Sequence, residues 1–244
     1  MKLFVPVTSS QDSVYLLYKL LIETHHNIIA RIFTIDVTEQ ELSQHRVICE
    51  WLSSNVRKFD YGISLSSDNN PVEEVVNKKA HYTVAWIIQD YAEAHEFHKH
   101  KADKISIGFN AHNWHPTNWF YRNMDKDVSE FYWKDYRNIY TSENDNPFMG
   151  ISIEWPLLNK DFIIGRFETW ERIPEELQKL VAVCPCKRSN CYKCQSWKWY
   201  FNKKGEGFSA AEIDDLIMKE GEYGKYFTKE SNPKKRHAAY INIV

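Results

Sequence analysis

The feature that most constrains this chain is the alternation, through its first half, of short apolar runs rich in β-branched residues with longer amphipathic runs. That repeat is the pattern of a parallel sheet whose strands are joined by crossover helices. Lys2 to Val7 reads as a strand, and Asp12 to Thr24 as a helix that buries Val14, Leu16, Leu17, Leu20 and Leu21. Ile28 to Asp36 is the next strand, stopping at a polar residue whose carboxylate then borders a cleft. Thr38 caps the following helix with Glu41 three residues on, and Leu42, Val47, Ile48, Trp51 and Leu52 form its inner face.

The rest of the chain carries the same pattern less regularly. Tyr61 to Leu65 reads as a third strand, Val72 to His98 as a long helix, and Ile105 to Phe109 and Ile151 to Ile153 as the fourth and fifth strands. The expected fold is α/β, a Rossmann-like parallel sheet of about five strands with helices on both faces. With 244 residues and no Gly/Ser/Pro-rich linker, the chain is expected to form one folded body. Residues 1–180 make the nucleotide-binding part, and residues 181–244 a cysteine cluster and helical extension packed on it.

Charge is nearly balanced, with a formal net charge of -2, so no global nucleic-acid signature is present and a nucleic-acid partner is not expected. The apolar run at the start is too short for a signal-peptide core, and no run approaches the roughly 18 apolar residues of a membrane span. A cytoplasmic protein with no membrane partner is expected, in a compartment that keeps thiols reduced.

Between the first strand and the first helix stand Thr8, Ser9, Ser10, Gln11, Asp12 and Ser13. A hydroxyl-rich turn at the carboxyl end of a strand, opening an apolar helix, offers amides and hydroxyls to a phosphate. The same residue types also suit an ordinary N-capped helix, where they serve only the helix's own amides. Both readings stand on the loop alone.

Four of the five cysteines, Cys184, Cys186, Cys191 and Cys194, fall in one short segment. Four thiolates complete a tetrahedral zinc site and leave no open position, so the expected Zn²⁺ is structural. Lys187, Arg188, Lys193 and Lys198 favour the ionised thiols. Cys49, on the apolar side of the second helix, reads as packing. His95, His98 and His100, interleaved with Glu96, Lys99 and Lys101, read as a solvated helix end. His112 and His115 with Trp114 and Trp119 either hold a planar ligand or cap the core. The run Trp197, Trp199, Tyr200, Phe201 reads as a clamp packing the zinc segment on the sheet.

The order strand, Thr/Ser cluster, Asp-Ser, apolar helix resembles the PP-loop, written Ser-Gly-Gly-x-Asp-Ser, with Ser9 and Ser10 standing at the two glycines. Within that superfamily the chain most resembles the 7-cyano-7-deazaguanine synthases. Gln44-His45-Arg46 is similar to the opening of their second helix, Ala80-His81-Tyr82 stands where they have Ala-Arg-Asn, and Ile107-Gly108-Phe109-Asn110-Ala111 is similar to their Ile-Gly-x-Asn-Ala. Ile153 to Leu158 with Lys160 resembles the segment leading toward their zinc cysteines. The Lys/Asn-rich, aromatic-rich composition is similar to that of phage-encoded members.

The resemblance implies an adenine nucleotide alpha-hydrolase-like fold, ATP and Mg²⁺ beside the structural Zn²⁺, and a purine-like small-molecule substrate. It is compatible with a homodimer. The implied activity is ATP-dependent activation of a carboxylate followed by attack of ammonia or an amine. Asp12 and Ser13 would be catalytic, and Thr8, Ser9, Ser10, Gln11, Asp36, His45, Lys79, His81 and Asn110 would hold nucleotide and substrate. Alternatives are a nucleotide- or partner-binding protein that has lost turnover, because Ser replaces Gly at positions 9 and 10, and another PP-loop enzyme such as a tRNA-modifying one.

Overall fold

A computed structural model describes residues 1–7, 10–33, 39–64, 93–108, 150–154, 156–159, 162–163, 165–181 and 192–219. Strand β1 (Lys2–Pro6) occupies the middle of a five-stranded sheet because its Leu3, Phe4 and Val5 are apolar on both faces, and all three are fully buried. On one side it pairs in parallel with β2 (Asn27–Phe33), which pairs in parallel with β3 (Asp60–Ser64). On the other side β1 pairs with β4 (Lys104–Ser106), and β4 with β5 (Ile153–Glu154), again in parallel. The order is therefore β3-β2-β1-β4-β5. The Val7 amide bonds the Arg31 carbonyl at 2.9 Å and the Ile107 amide bonds the Glu154 carbonyl at 3.1 Å, so the ladder runs on past β1 and β4 toward their carboxyl ends.

Helices cover both faces. Leu3, Val5 and Val7 of β1, with Ile28 and Ala30 of β2, pack against α1 (Gln11–Glu23) and α2 (Glu39–Asn55). The five apolar residues expected on the inner face of α1 are all buried. On α2, Ile48 and Leu52 are buried as expected, but Val47 is 43% exposed, and the inner face is completed by His45 and Cys49. The inward row of α2 is thus 45, 48, 49, 52, and Val47 falls on its outer side.

The opposite face of the sheet carries Arg31, and against it lies α3, helical residues 93–99, which buries Ala94, Glu96 and Phe97. Of the long helix expected from Val72 to His98, only this end lies within the described residues. Nor is the end simply solvated. Glu96 is 4% exposed and its carboxylate pairs with Lys99 at 2.9 Å and His100 at 3.2 Å, and His100 in turn reaches the Arg31 guanidinium at 3.2 Å. Charged residues in this stretch face inward because β2 presents an arginine to them. Burial opposes ionisation of Glu96, yet hydrogen bonds from Lys99 and Ser64 and the neighbouring His100 hold its carboxyl below the usual carboxylate value.

A short antiparallel pair, β6 (Leu158–Asn159) with β7 (Phe162–Ile163), leads into α4 (Arg166–Glu171) and α5 (Glu175–Gln178). Two C-terminal helices, α6 (Tyr192–Gly205) and α7 (Ala210–Lys219), follow. Among the described residues the aromatic run clamps these helices to α4 rather than to the sheet. Phe167 stacks on Tyr200 with centroids 4.5 Å apart and meets Trp197 edge-on at 5.2 Å, and Trp170 meets Trp197 at 5.1 Å. Phe201 points outward, 56% exposed. The tail with Lys234, Lys235 and Arg236 lies outside the described residues. Among the described residues, no helix is long and apolar enough to cross a membrane.

Polar contacts add to the aromatic ones: the Tyr200 hydroxyl donates to Glu171 at 2.8 Å, and Lys204 pairs with the same carboxylate at 2.6 Å. The fully buried Asp214 of α7 accepts hydrogen bonds from the Phe167 and Glu168 amides at 3.1 and 2.9 Å, capping α4 from a remote part of the chain. Only a glycine fits beside it, since a Cβ at Gly165 would sit 2.2 Å from the Asp214 carboxylate. Asp214→Ala removes this cap and is expected to cost about 2 kcal/mol, lowering Tm by roughly 4–8 °C. Thermal unfolding followed by circular dichroism checks this, and an unchanged Tm contradicts it.

Candidate functional site

The order of the sheet reverses at β1. The chain goes from β1 through α1 to β2 on one side, whereas β4 flanks β1 on the other, so the space outside the carboxyl ends of β1 and β4 is a topological switch point. Open parallel sheets leave a crevice there, because the connections from the two central strands diverge. The first turn of α1 stands at this crevice. Its N-cap is Ser10, in extended backbone with φ −74° and ψ 151°, and the Ser10 side chain makes no cap bond to the helix amides. Gln11 and Asp12 are buried at 5% and 6% exposure, and Ser13 is partly exposed.

The other wall comes from the end of β4. A Cβ placed on Gly108 would lie 3.2 Å from the Ser13 Cα and 3.3 Å from the Asp12 carbonyl oxygen, contacts tighter than a side chain ordinarily tolerates. The backbone after β4 therefore rests directly on the first turn of α1, and glycine at 108 permits it. Two segments nearly a hundred residues apart, Ser10 to Ser13 and Ile107-Gly108, are brought into contact. Their chemistry suits an anion, with helix-terminal amides, hydroxyls and a buried carboxylate able to hold a cation that accompanies it.

His45 is placed differently, at the second turn of α2 with its ring in the core. It is 2% exposed, its Nε2 lies 3.5 Å from the Cys49 Sγ, and its Nδ1 has no hydrogen-bond partner among the described residues. Gln44 beside it donates to the Leu180 carbonyl at 2.7 Å, tying α2 to the end of α5. Burial pulls the His45 pKa down to about 4 and pushes the Cys49 thiol up to about 12. Cys49 thus packs in the core as the sequence suggested.

Thr8, Ser9, Asp36, Lys79, His81 and Asn110 lie outside the described residues, as does the loop from His112 to Trp119. So do Cys184, Cys186 and Cys191. Cys194 falls in the first turn of α6, with its side chain outside the description. Among the described residues no three His, Cys, Asp or Glu side chains stand together as metal ligands. The fit of the expected Zn²⁺ therefore rests on the donor set: four closely spaced cysteines with basic neighbours.

Sequence and structure together define an α/β protein with a parallel sheet of doubly wound order and a topological switch point between β1 and β4. No family model matches the chain, and no curated protein matches it. Among solved structures, U34-tRNA thiolase NcsA from Methanococcus maripaludis with its [4Fe-4S] cluster superposes with a TM-score of 0.45 at 14% identity, over 96% of this chain and 75% of that one. A likeness of that size carries no inference about chemistry.

The buried imidazole yields a pH prediction. His45 is neutral in the native protein down to about pH 4, while the unfolded chain takes up its proton near 6.5. Between these values the unfolded state binds more protons, so stability is lost as pH falls through that window, by roughly 3 kcal/mol in full. Urea midpoints should fall more steeply with acidification in the wild type than in His45→Gln. Parallel profiles would show that His45 is not buried neutral.

Proposed function

We propose that this chain binds ATP with Mg²⁺ at the turn between β1 and α1 and uses it to activate a carboxylate oxygen for displacement by ammonia or an amine. The observation that supports the proposal is the seating of Gly108 on the first turn of α1 at the switch point, which brings residues 10–13 and Ile107-Gly108 into contact. A carboxylate is a poor electrophile until one oxygen becomes part of a good leaving group, and ATP supplies that group. The amides and hydroxyls of Thr8, Ser9, Ser10 and Ser13 contact phosphate oxygens, and Asp12 holds Mg²⁺ or orders the loop amides. Asp36 and Asn110 take the sugar or base, and Lys79 and His81 supply positive charge where the related synthases have an arginine. In its finer form the substrate is 7-carboxy-7-deazaguanine, turned through an amide into the nitrile.

A second reading, nucleotide binding without turnover, is favoured by one observation. Serines stand at positions 9 and 10, where glycine would let the backbone approach phosphate more closely. Substrate-dependent release of phosphate or pyrophosphate separates the two readings.

ATP with Mg²⁺ is expected to raise Tm. Asp12→Ala removes most of the shift, and Gly108→Ala reduces it by moving the α1 terminus a few tenths of an ångström, with some loss of ligand-free Tm from the tighter packing. An unchanged melting curve at millimolar ATP contradicts the reading. The cysteine cluster is expected to hold about one Zn²⁺ per chain, lost with stability in Cys191→Ser. Elemental analysis without stoichiometric zinc contradicts that part.

A further inference from the structure

At the opposite, amino-terminal edge of the sheet lies a cavity of about 360 Å³, between the start of β1, the turn after α1 and the turn after α2. Its lining is basic: Lys2, His25, His26, Arg57, Lys58 and His100, with Phe59 on one wall and a single carboxylate, Asp60. The charge balance around it decides what it can hold. Asp60 is already bound by Arg31, which approaches from outside the cavity with two parallel hydrogen bonds of 3.0 and 3.1 Å. Two neighbouring carboxylates are paired as well, Glu23 with Lys19 and Glu96 with Lys99 and His100. Asp103, outside the lining, accepts the Lys2 backbone amide at 2.7 Å.

The cations are held in place without being neutralised. Arg57 donates to the Thr24 and His26 carbonyls at 2.6 and 3.1 Å, and the Lys2 ammonium donates to the His100 carbonyl at 2.9 Å. Carbonyl dipoles orient these groups and leave the net charge intact. Among the described residues Lys58 has no carboxylate partner and is exposed. Two oriented cations, one extended lysine and the imidazoles of His25 and His26 thus converge, among the described residues, on one concavity whose carboxylate is already paired, while the His100 ring is held by Glu96. Such concavities concentrate anions, because the low-dielectric walls focus the field of the fixed charges.

We infer that this cavity is a second ligand site, distinct from the crevice at the other end of the sheet, and that it takes a small phosphate-bearing anion. Arg57 and Lys58 meet the phosphate, Lys2 adds charge from the opposite wall, and Phe59 offers a flat apolar surface to an organic part of about nucleoside size. The charges are gathered from separate stretches of the chain by the parallel strand starts, so a folded sheet is needed to form the site.

The test measures binding of inorganic pyrophosphate and of AMP by calorimetry to the full chain carrying Asp12→Ala, which silences the crevice at the other end. At least one of the two ligands is expected to bind at millimolar concentration or tighter, with affinity reduced fivefold or more by Lys58→Ala and largely retained by Lys58→Arg. Lys58 is exposed, so these variants leave the fold intact, and equal Tm values verify that. Absence of binding by both ligands, or binding indifferent to Lys58→Ala, overturns the inference. So does binding confined to a short oligoribonucleotide. None of these outcomes depends on whether the intact chain binds ATP.

Discussion

The seating of the β4 end on the first turn of α1 is the contact on which the proposed ligand crevice depends. A Cβ at Gly108 would lie only 3.2 Å from the Ser13 Cα. Any larger residue must push either the helix terminus or the strand, and both belong to the most deeply buried layer of the protein. The helix cannot tilt away easily, because Val14, Leu16, Leu17, Leu20 and Leu21 are all packed beneath it. Close packing converts a small steric change at one glycine into a displacement of the amides and hydroxyls at residues 10–13.

The C-terminal extension is held by a different kind of bond. Its helices meet α4 through aromatic rings and through Glu171, which accepts from Tyr200 and pairs with Lys204. Asp214 adds a buried constraint, since its carboxylate must meet two particular amides at the start of α4 beside a glycine at 165. α4 in turn packs against α1. The segment bearing Cys194 is thereby anchored to the same helix whose first turn lines the crevice.

Much of the sheet was legible because buried parallel strands need continuous β-branched and apolar runs. Strands one to four and the helices α1 and α2 appear within a few residues of where the pattern put them. The order of the strands was not legible, since a one-dimensional pattern carries no pairing information. Val47 was misplaced because hydrophobicity alone put it inside, whereas helical phase turned it outward and left His45 and Cys49 to fill the inner row. The inward-facing Glu96 and His100 were hidden for a similar reason, since their partner Arg31 sits in a strand far away in sequence. At the crevice the sequence showed both walls but not that they touch. The basic cavity at the other edge left no sequence signal at all, because Lys2, His25, Arg57, Lys58 and His100 are scattered singly along the chain.

The central claim is that the nucleotide sits at the switch point between β1 and β4. Hydrogen–deuterium exchange with and without ATP and Mg²⁺ tests it most directly. The account predicts slowed exchange in peptides spanning residues 8–16 and 105–111 together, with the rest of β1 and α2 unchanged. Protection of one of these segments without the other, or protection confined to residues 24–28 and 56–60, would contradict it.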